Sequence, residues 1–155
     1  MSIEEESGDI VSVGGNVDRV KVSLRFLGDD LNPDDVSALL GCQPTNSYRK
    51  GDILSGKRSH RVADTGLWLL KSAEEDTSVL ETKVGRLLDR LSAEPTAWKA
   101  LSNFYGNVFC GVFLNDLNRE FSLSPQIMQQ LTERNLSIDF DIYCNSFYTQ
   151  EDGEE

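Results

Sequence analysis

The chain has 155 residues, 39% hydrophobic and 26% charged, a composition that supports a packed core and lies far from the charge-rich, apolar-poor range in which chains stay disordered. One domain is expected at this length, burying roughly two-thirds of the surface that the unfolded chain exposes. The net charge of −11 disfavours nucleic acid as a partner, because phosphate binding needs an excess of Lys and Arg to displace counterions.

The longest apolar stretches, Gly66 to Leu70 and Val108 to Leu114, fall well short of the ~20 residues of a membrane-spanning helix. The start Met1-Ser2-Ile3-Glu4-Glu5-Glu6 has neither the cationic nor the apolar region of a secretory signal. A cytoplasmic protein without membrane contact is therefore expected. Cys42, Cys110 and Cys144 are odd in number and far apart, so they read as reduced thiols rather than as a disulfide framework or a zinc site. With His60 as the one histidine, nitrogen-ligand metal sites are excluded. No metal or cofactor is expected, and no catalytic residue can be named.

Residues 1–16 mix acids, serines and Gly14-Gly15 and read as a flexible acidic lead-in. From Val20, the apolar Val20, Val22, Leu24 and Phe26 alternate with Lys21, Ser23 and Arg25, the period of a half-buried strand. Asn32-Pro33-Asp34-Asp35 then supplies a cap, a proline for the first helical position and two carboxylates for the positive end of the dipole, with Gly41 as the stop. The segment Gln43 to Thr65 reads as a long irregular loop.

Gly66 to Leu70 is apolar on both faces, as an interior strand would be. Ser78-x-x-Glu81 reads as a capping box for a helix with Leu80, Val84, Leu87, Leu88 and Leu91 inward. Pro95 opens a shorter helix carrying Trp98 and Leu101. Val108 to Leu114 is a further strand, and Ser124-Pro125 opens a helix with Ile127, Met128 and Leu131 inward, which Asn135 ends in the left-handed conformation. Leu136, Ile138, Phe140 and Ile142 alternate with Ser137, Asp139, Asp141 and Tyr143 as a last strand before an acidic tail, residues 149–155.

The order is strand–helix–strand, helices, strand–helix–strand, in one domain spanning 17–148. Leu31-Asn32-Pro33 recurs as Leu123-Ser124-Pro125 at the two helix starts, which either duplication or repeated use of good capping chemistry explains. The fold expected is α+β and ferredoxin-like: two β-α-β halves forming a four-stranded, mainly antiparallel sheet with extra helices between them. The first and last strands would then be neighbours, with Lys21 and Arg25 pairing Asp139 and Asp141.

Leu31-Asn32-Pro33-Asp34-Asp35-Val36-x-x-Leu39-Leu40-Gly41, Pro44-Thr45, Arg49-Lys50-Gly51-Asp52, Thr65-Gly66-Leu67-Trp68 and Ser137-Ile138-Asp139-Phe140-Asp141-Ile142-Tyr143 together resemble the bacterial family called domain of unknown function 4279, over about residues 18 to 145. The resemblance implies a small bacterial cytosolic domain and carries no catalytic residues. Toxin immunity is an analogy with small acidic bacterial proteins as a class.

The densest candidate site is the basic loop, where Arg49, Lys50, Lys57, Arg58 and Arg61 bring together five of the fifteen cations beside Tyr48 and His60, with Trp68 at the edge of a pocket. Such groups suit a phosphate, an anionic metabolite or an acidic protein surface; a solvated loop balancing acids on the body is the plain alternative. Asp139 and Asp141 share a strand face, but two carboxylates are too few for a hard cation. Trp68, Phe109 and Phe113 imply that part of the second sheet face is covered, by helices between Ser78 and Phe104 or by a partner. The reading that follows is a non-enzymatic protein-interaction module. Its partner is expected to be a protein, and the acidic charge favours a basic one, with toxin neutralisation as one version; a structural homodimer joined through a sheet face is a separate reading. The competing reading is a binder of a small anion, or an enzyme acting on one, through residues 49–61.

Overall fold

A computed structural model describes residues 19–116 and 118–144; the lead-in 1–16 and the tail 149–155 lie outside the described residues. In chain order the elements are β1 (Arg19–Gly28), α1 (Pro33–Leu40), β2 (Asn46–Tyr48), β3 (Ile53–Ser55), β4 (His60–Val62), β5 (Gly66–Lys71), α2 (Leu80–Asp89), α3 (Pro95–Ala100), a 3-10 turn (Leu101–Asn103), β6 (Tyr105–Leu114), α4 (Pro125–Glu133) and β7 (Ser137–Cys144). No described helix is long and apolar enough to cross a membrane.

The helix ends follow their local chemistry. Asp34 N–H donates to the Asn32 side chain at 3.0 Å, and Gly41 closes α1 at a φ of 70° that a residue with a Cβ adopts at a cost. Ser124 Oγ accepts from Ile127 N–H at 3.3 Å, and Asn135 takes a φ of 57° after α4. The expected capping box is not formed: α2 starts at Leu80 with no side-chain cap. Its two members are used elsewhere, Ser78 Oγ accepting from Arg86 and the Glu81 carboxylate from the Ser124 backbone N–H, which ties α2 to the start of α4.

The sheet is five-stranded and mixed, in the order β2-β5-β1-β6-β7, with β3 and β4 forming a separate two-stranded sheet. It has one strand more than expected, because Asn46–Tyr48 of the supposed loop pairs with Leu67–Leu69 of β5. β1, β5, β2 and β6 alternate in direction, while β6 and β7 are parallel. The two halves therefore differ. In the second, α4 links adjacent parallel strands; in the first, α1 links β1 to β2, and β5 is inserted between them.

β6 also separates the first strand from the last, so the expected Lys21 and Arg25 pairs with Asp139 and Asp141 do not form. A relay takes their place: Arg25 Nε donates to Asn107 Oδ1 at 3.1 Å, and Asn107 Nδ2 donates to the Asp139 carboxylate. Asn107 is fully buried, and the relay satisfies its amide at both ends.

Val22, Leu24 and Phe26 of β1, Trp68 and Leu70 of β5 and Val108, Cys110 and Val112 of β6 share one sheet face, and they pack with Val36, Leu40, Leu80, Val84, Leu87, Leu88, Trp98, Ile127 and Leu131 of the four helices as a single core. Phe26 lies at its centre, 6.2 Å in ring-centroid distance from both Trp68 and Trp98. Met128, expected inward, is 48% exposed, because the inward stripe of α4 is Ile127 and Leu131 at i, i+4. All four described helices cover the same face. The opposite face, where Phe109 and Phe113 lie, is covered instead by cationic side chains: the Arg25 guanidinium is 4.4 Å from the Phe109 ring centroid and that of Arg19 4.3 Å from that of Phe113.

Candidate functional site

The segment expected to be an irregular basic loop is a projecting β-hairpin. Ile53–Ser55 pairs antiparallel with His60–Val62, so Ile53 faces Val62, Leu54 faces Arg61 and Ser55 faces His60. The Gly56 N–H donates to the Ser59 carbonyl at 2.7 Å, which leaves Lys57 and Arg58 at the apex of the turn. Side chains alternate along the strands. One face of this arm therefore carries Ile53, Val62, Ser55 and His60, and Arg61 lies on the other with Leu54. Ile53 and Val62 are 72% and 59% exposed, a cross-strand apolar pair facing solvent.

The base of the arm is fixed. Gly51, at a φ of 92°, donates to the Ala63 carbonyl at 2.9 Å, and Ala63 donates back to Asp52 at 2.8 Å. The Arg49 N–H donates to the Asp52 carboxylate at 2.8 Å. The Lys50 ammonium meets Asp29, in the turn after β1, at 2.9 Å. That contact, followed by a hydrogen bond with Thr65, holds the Asp29 carboxyl below the ordinary aspartate range, and Asp29 raises Lys50 in turn. Beyond the base, Lys57, Arg58 and Arg61 make no ion pair among the described residues. His60 Nδ1 lies 3.1 Å from Ser55 Oγ across the arm.

The eight candidate residues thus divide. Lys57, Arg58, His60 and Arg61 are on the arm, with Arg49 and Lys50 at its root. Tyr48 is on β2, opposite Leu67 on the open sheet face. Trp68 does not join them: it is completely buried on the helix-covered face, its indole N–H donating to Ser37 Oγ at 3.0 Å. A tryptophan in a run apolar on both faces carries no signal in sequence that separates pocket wall from core.

A second feature escaped the sequence reading. β5 ends at Lys71, opposite Ser23, whereas β1 runs on to Arg19, so on that side the first four residues of β1 have no strand beside them among the described residues. Two donors take the missing strand's place: Ser72 N–H reaches the Val22 carbonyl at 2.8 Å, and the Lys83 ammonium, on a 6% exposed side chain, reaches the Val20 carbonyl at 2.5 Å. A cavity of about 780 Å³ opens at this notch, and Arg19, Lys21, Lys71, Lys83, Phe113 and Tyr143 are among the residues that line it. Its rim is the 72–79 loop, in which Asp76 accepts from Ser78 N–H at 2.9 Å and from Arg86 at 3.0 Å. The hydrogen bonds from Ser78, and then Arg86, hold the Asp76 carboxyl down at about 2. On the far side, Phe113 stacks on Tyr143 at 5.0 Å, and the hydrogen bond from the Tyr143 hydroxyl to Asp141 raises the phenol above its usual range.

Both halves of that constellation were visible in part. Arg19, Lys21 and Arg25 alternate on β1, as Tyr105, Phe109 and Phe113 do on β6, but only the register brings Arg19 opposite Phe113 and Arg25 opposite Asn107. The cysteines offer no reactive thiol in the core: burial pushes Cys110 up to about 12, which keeps it protonated at neutral pH. Among the described residues no group of three or more His, Cys, Asp or Glu is placed to hold a metal.

No curated protein and no solved structure matches the chain. The model of the family described as "Domain of unknown function (DUF4279)" matches residues 18–145, which takes in every described strand and helix, and the chain belongs to that family.

Proposed function

We propose that the domain is a non-enzymatic protein-interaction module whose contact element is the hairpin arm, residues 49–62. The observation that carries this reading is the arm's construction: a pinned base, an apex of Lys57 and Arg58, and an exposed Ile53–Val62 pair. A two-stranded hairpin is marginal in water by itself, and an apolar cross-strand pair gains little until something covers it. The partner that fits presents carboxylates to the apex and an apolar patch to Ile53 and Val62.

Whole-chain acidity argued for a basic partner, but at physiological salt charges more than about 8 Å apart are largely screened, so the arm's local charge governs the contact. Neutralisation of a bacterial toxin in the cytoplasm is one specific form of such an interaction. The test is a pull-down from the native host, at low and high salt, with the wild type and with Lys57→Glu/Arg58→Glu/Arg61→Glu. A stoichiometric acidic protein held by the wild type at low salt and lost by the variant is expected. Equal recovery by both baits, or no stoichiometric partner at either salt, contradicts the reading.

A further inference from the structure

The notch beside β1 has features that the arm lacks: it is concave, and its aromatic floor already holds a cation in place. At about 780 Å³ it falls within the range of small-molecule sites. Its lining holds four cations, Arg19, Lys21, Lys71 and Lys83, against two acids, Glu74 and Asp76, in a chain of net charge −11. Asp76 is already engaged by Ser78 and Arg86, and Lys83 by the Val20 carbonyl. Arg19, Lys21 and Lys71 have no ion-pair partner among the described residues.

Arg19 is the pre-organised member. Its guanidinium carbon lies 4.3 Å from the Phe113 ring centroid, so the ring fixes the plane of the fork while its N–H edges remain available to an oxyanion, the geometry that favours bidentate binding. Lys21 approaches the same ring at 5.9 Å. Arg25, held over Phe109 in the same way, differs in that its Nε is engaged by Asn107. Arg19 and Tyr143 take the two faces of Phe113, so the aromatic surface left beside Arg19 is the edge of Phe113 and Tyr143, which is 46% exposed. Three cations without an ion-pair partner among the described residues suit a dianion with several terminal oxygens better than a single carboxylate.

We propose that this notch binds a small aromatic phosphomonoester, the phosphate held by Arg19, Lys21 and Lys71 and the ring lying against the edge of Phe113 and the exposed Tyr143. The site is separate from the arm, so it stands or falls independently of the protein-interaction reading.

Phenyl phosphate, inorganic phosphate and benzoate are titrated into the ¹⁵N-labelled full chain and followed by amide chemical shifts. Phenyl phosphate is expected to saturate within the millimolar range, to move amides of residues 19–23 and 71–79, and to bind more tightly than either control. Arg19→Ala should weaken it about tenfold or more, the loss of a charge-assisted bidentate contact. Arg19→Lys, which keeps the charge without the fork, should recover only part of that. Lys57→Glu/Arg58→Glu/Arg61→Glu should bind as the wild type does. Arg19 is at the surface, and unchanged shift dispersion in its variants shows that the fold is intact. Absence of saturation, or indifference to Arg19→Ala, overturns the site; equal affinity for inorganic and phenyl phosphate overturns the aromatic assignment.

Discussion

The five-stranded sheet and the two-stranded arm use the same antiparallel pairing to opposite ends. In the sheet, Val22, Leu24 and Phe26 alternate into a core closed by four helices; in the arm, Ile53 and Val62 alternate into solvent. Backbone pairing alone contributes little net stability, and burial decides. The sheet should therefore carry the domain's stability and the arm its recognition, so that substitutions sort by which sheet they touch.

Trp68→Ala should separate the two most sharply. It removes a completely buried indole that packs on Phe26 and donates to Ser37, and a loss of about 3–5 kcal/mol is expected in denaturant unfolding. A surface-sized loss would mean that Trp68 lines a site instead of the core. Lys83→Met tests the notch: it leaves the Val20 carbonyl without the donor that replaces β5, and about 1–3 kcal/mol should be lost.

The 72–79 loop should respond to acid. Asp76 is held at about 2, below the ordinary aspartate value of 3.8. Its contribution is therefore complete above the unfolded value and lost as pH falls through the folded one. The Ser78 amide shift should titrate with a midpoint near 2, and Asp76→Asn should abolish that transition. A midpoint at the ordinary value would show that the Ser78 and Arg86 contacts do not form. The smallest effect belongs to the arm: Lys57→Glu/Arg58→Glu/Arg61→Glu should change unfolding free energy by no more than about 0.5 kcal/mol. A larger loss would make the arm part of the fold.

What could be read from the sequence was what local chemistry determines. Asn32-Pro33 and Ser124-Pro125 mark their helix starts because the capping donors lie within three residues, and the alternation in β1 and β7 shows which side chains share a face. What could not be read depended on partners far away in the chain. The position of β6 between β1 and β7, the insertion of β5 between β1 and β2, and the use of Glu81 by Ser124 are choices of tertiary pairing. The arm is legible as a cluster of charge but reads as a loop, because strands of three residues leave too short a period to read. Of the notch, only the alternating cations of β1 and aromatics of β6 are legible; that no described strand lies beside Arg19–Val22 has no local pattern.

Amide hydrogen exchange of the domain with and without its captured partner tests the central claim most directly. Protection on binding should be concentrated in residues 53–62, with the rates in β1, β5 and β6 unchanged. Protection confined to the open sheet face or to β7, with the arm exchanging as freely as before, would contradict it.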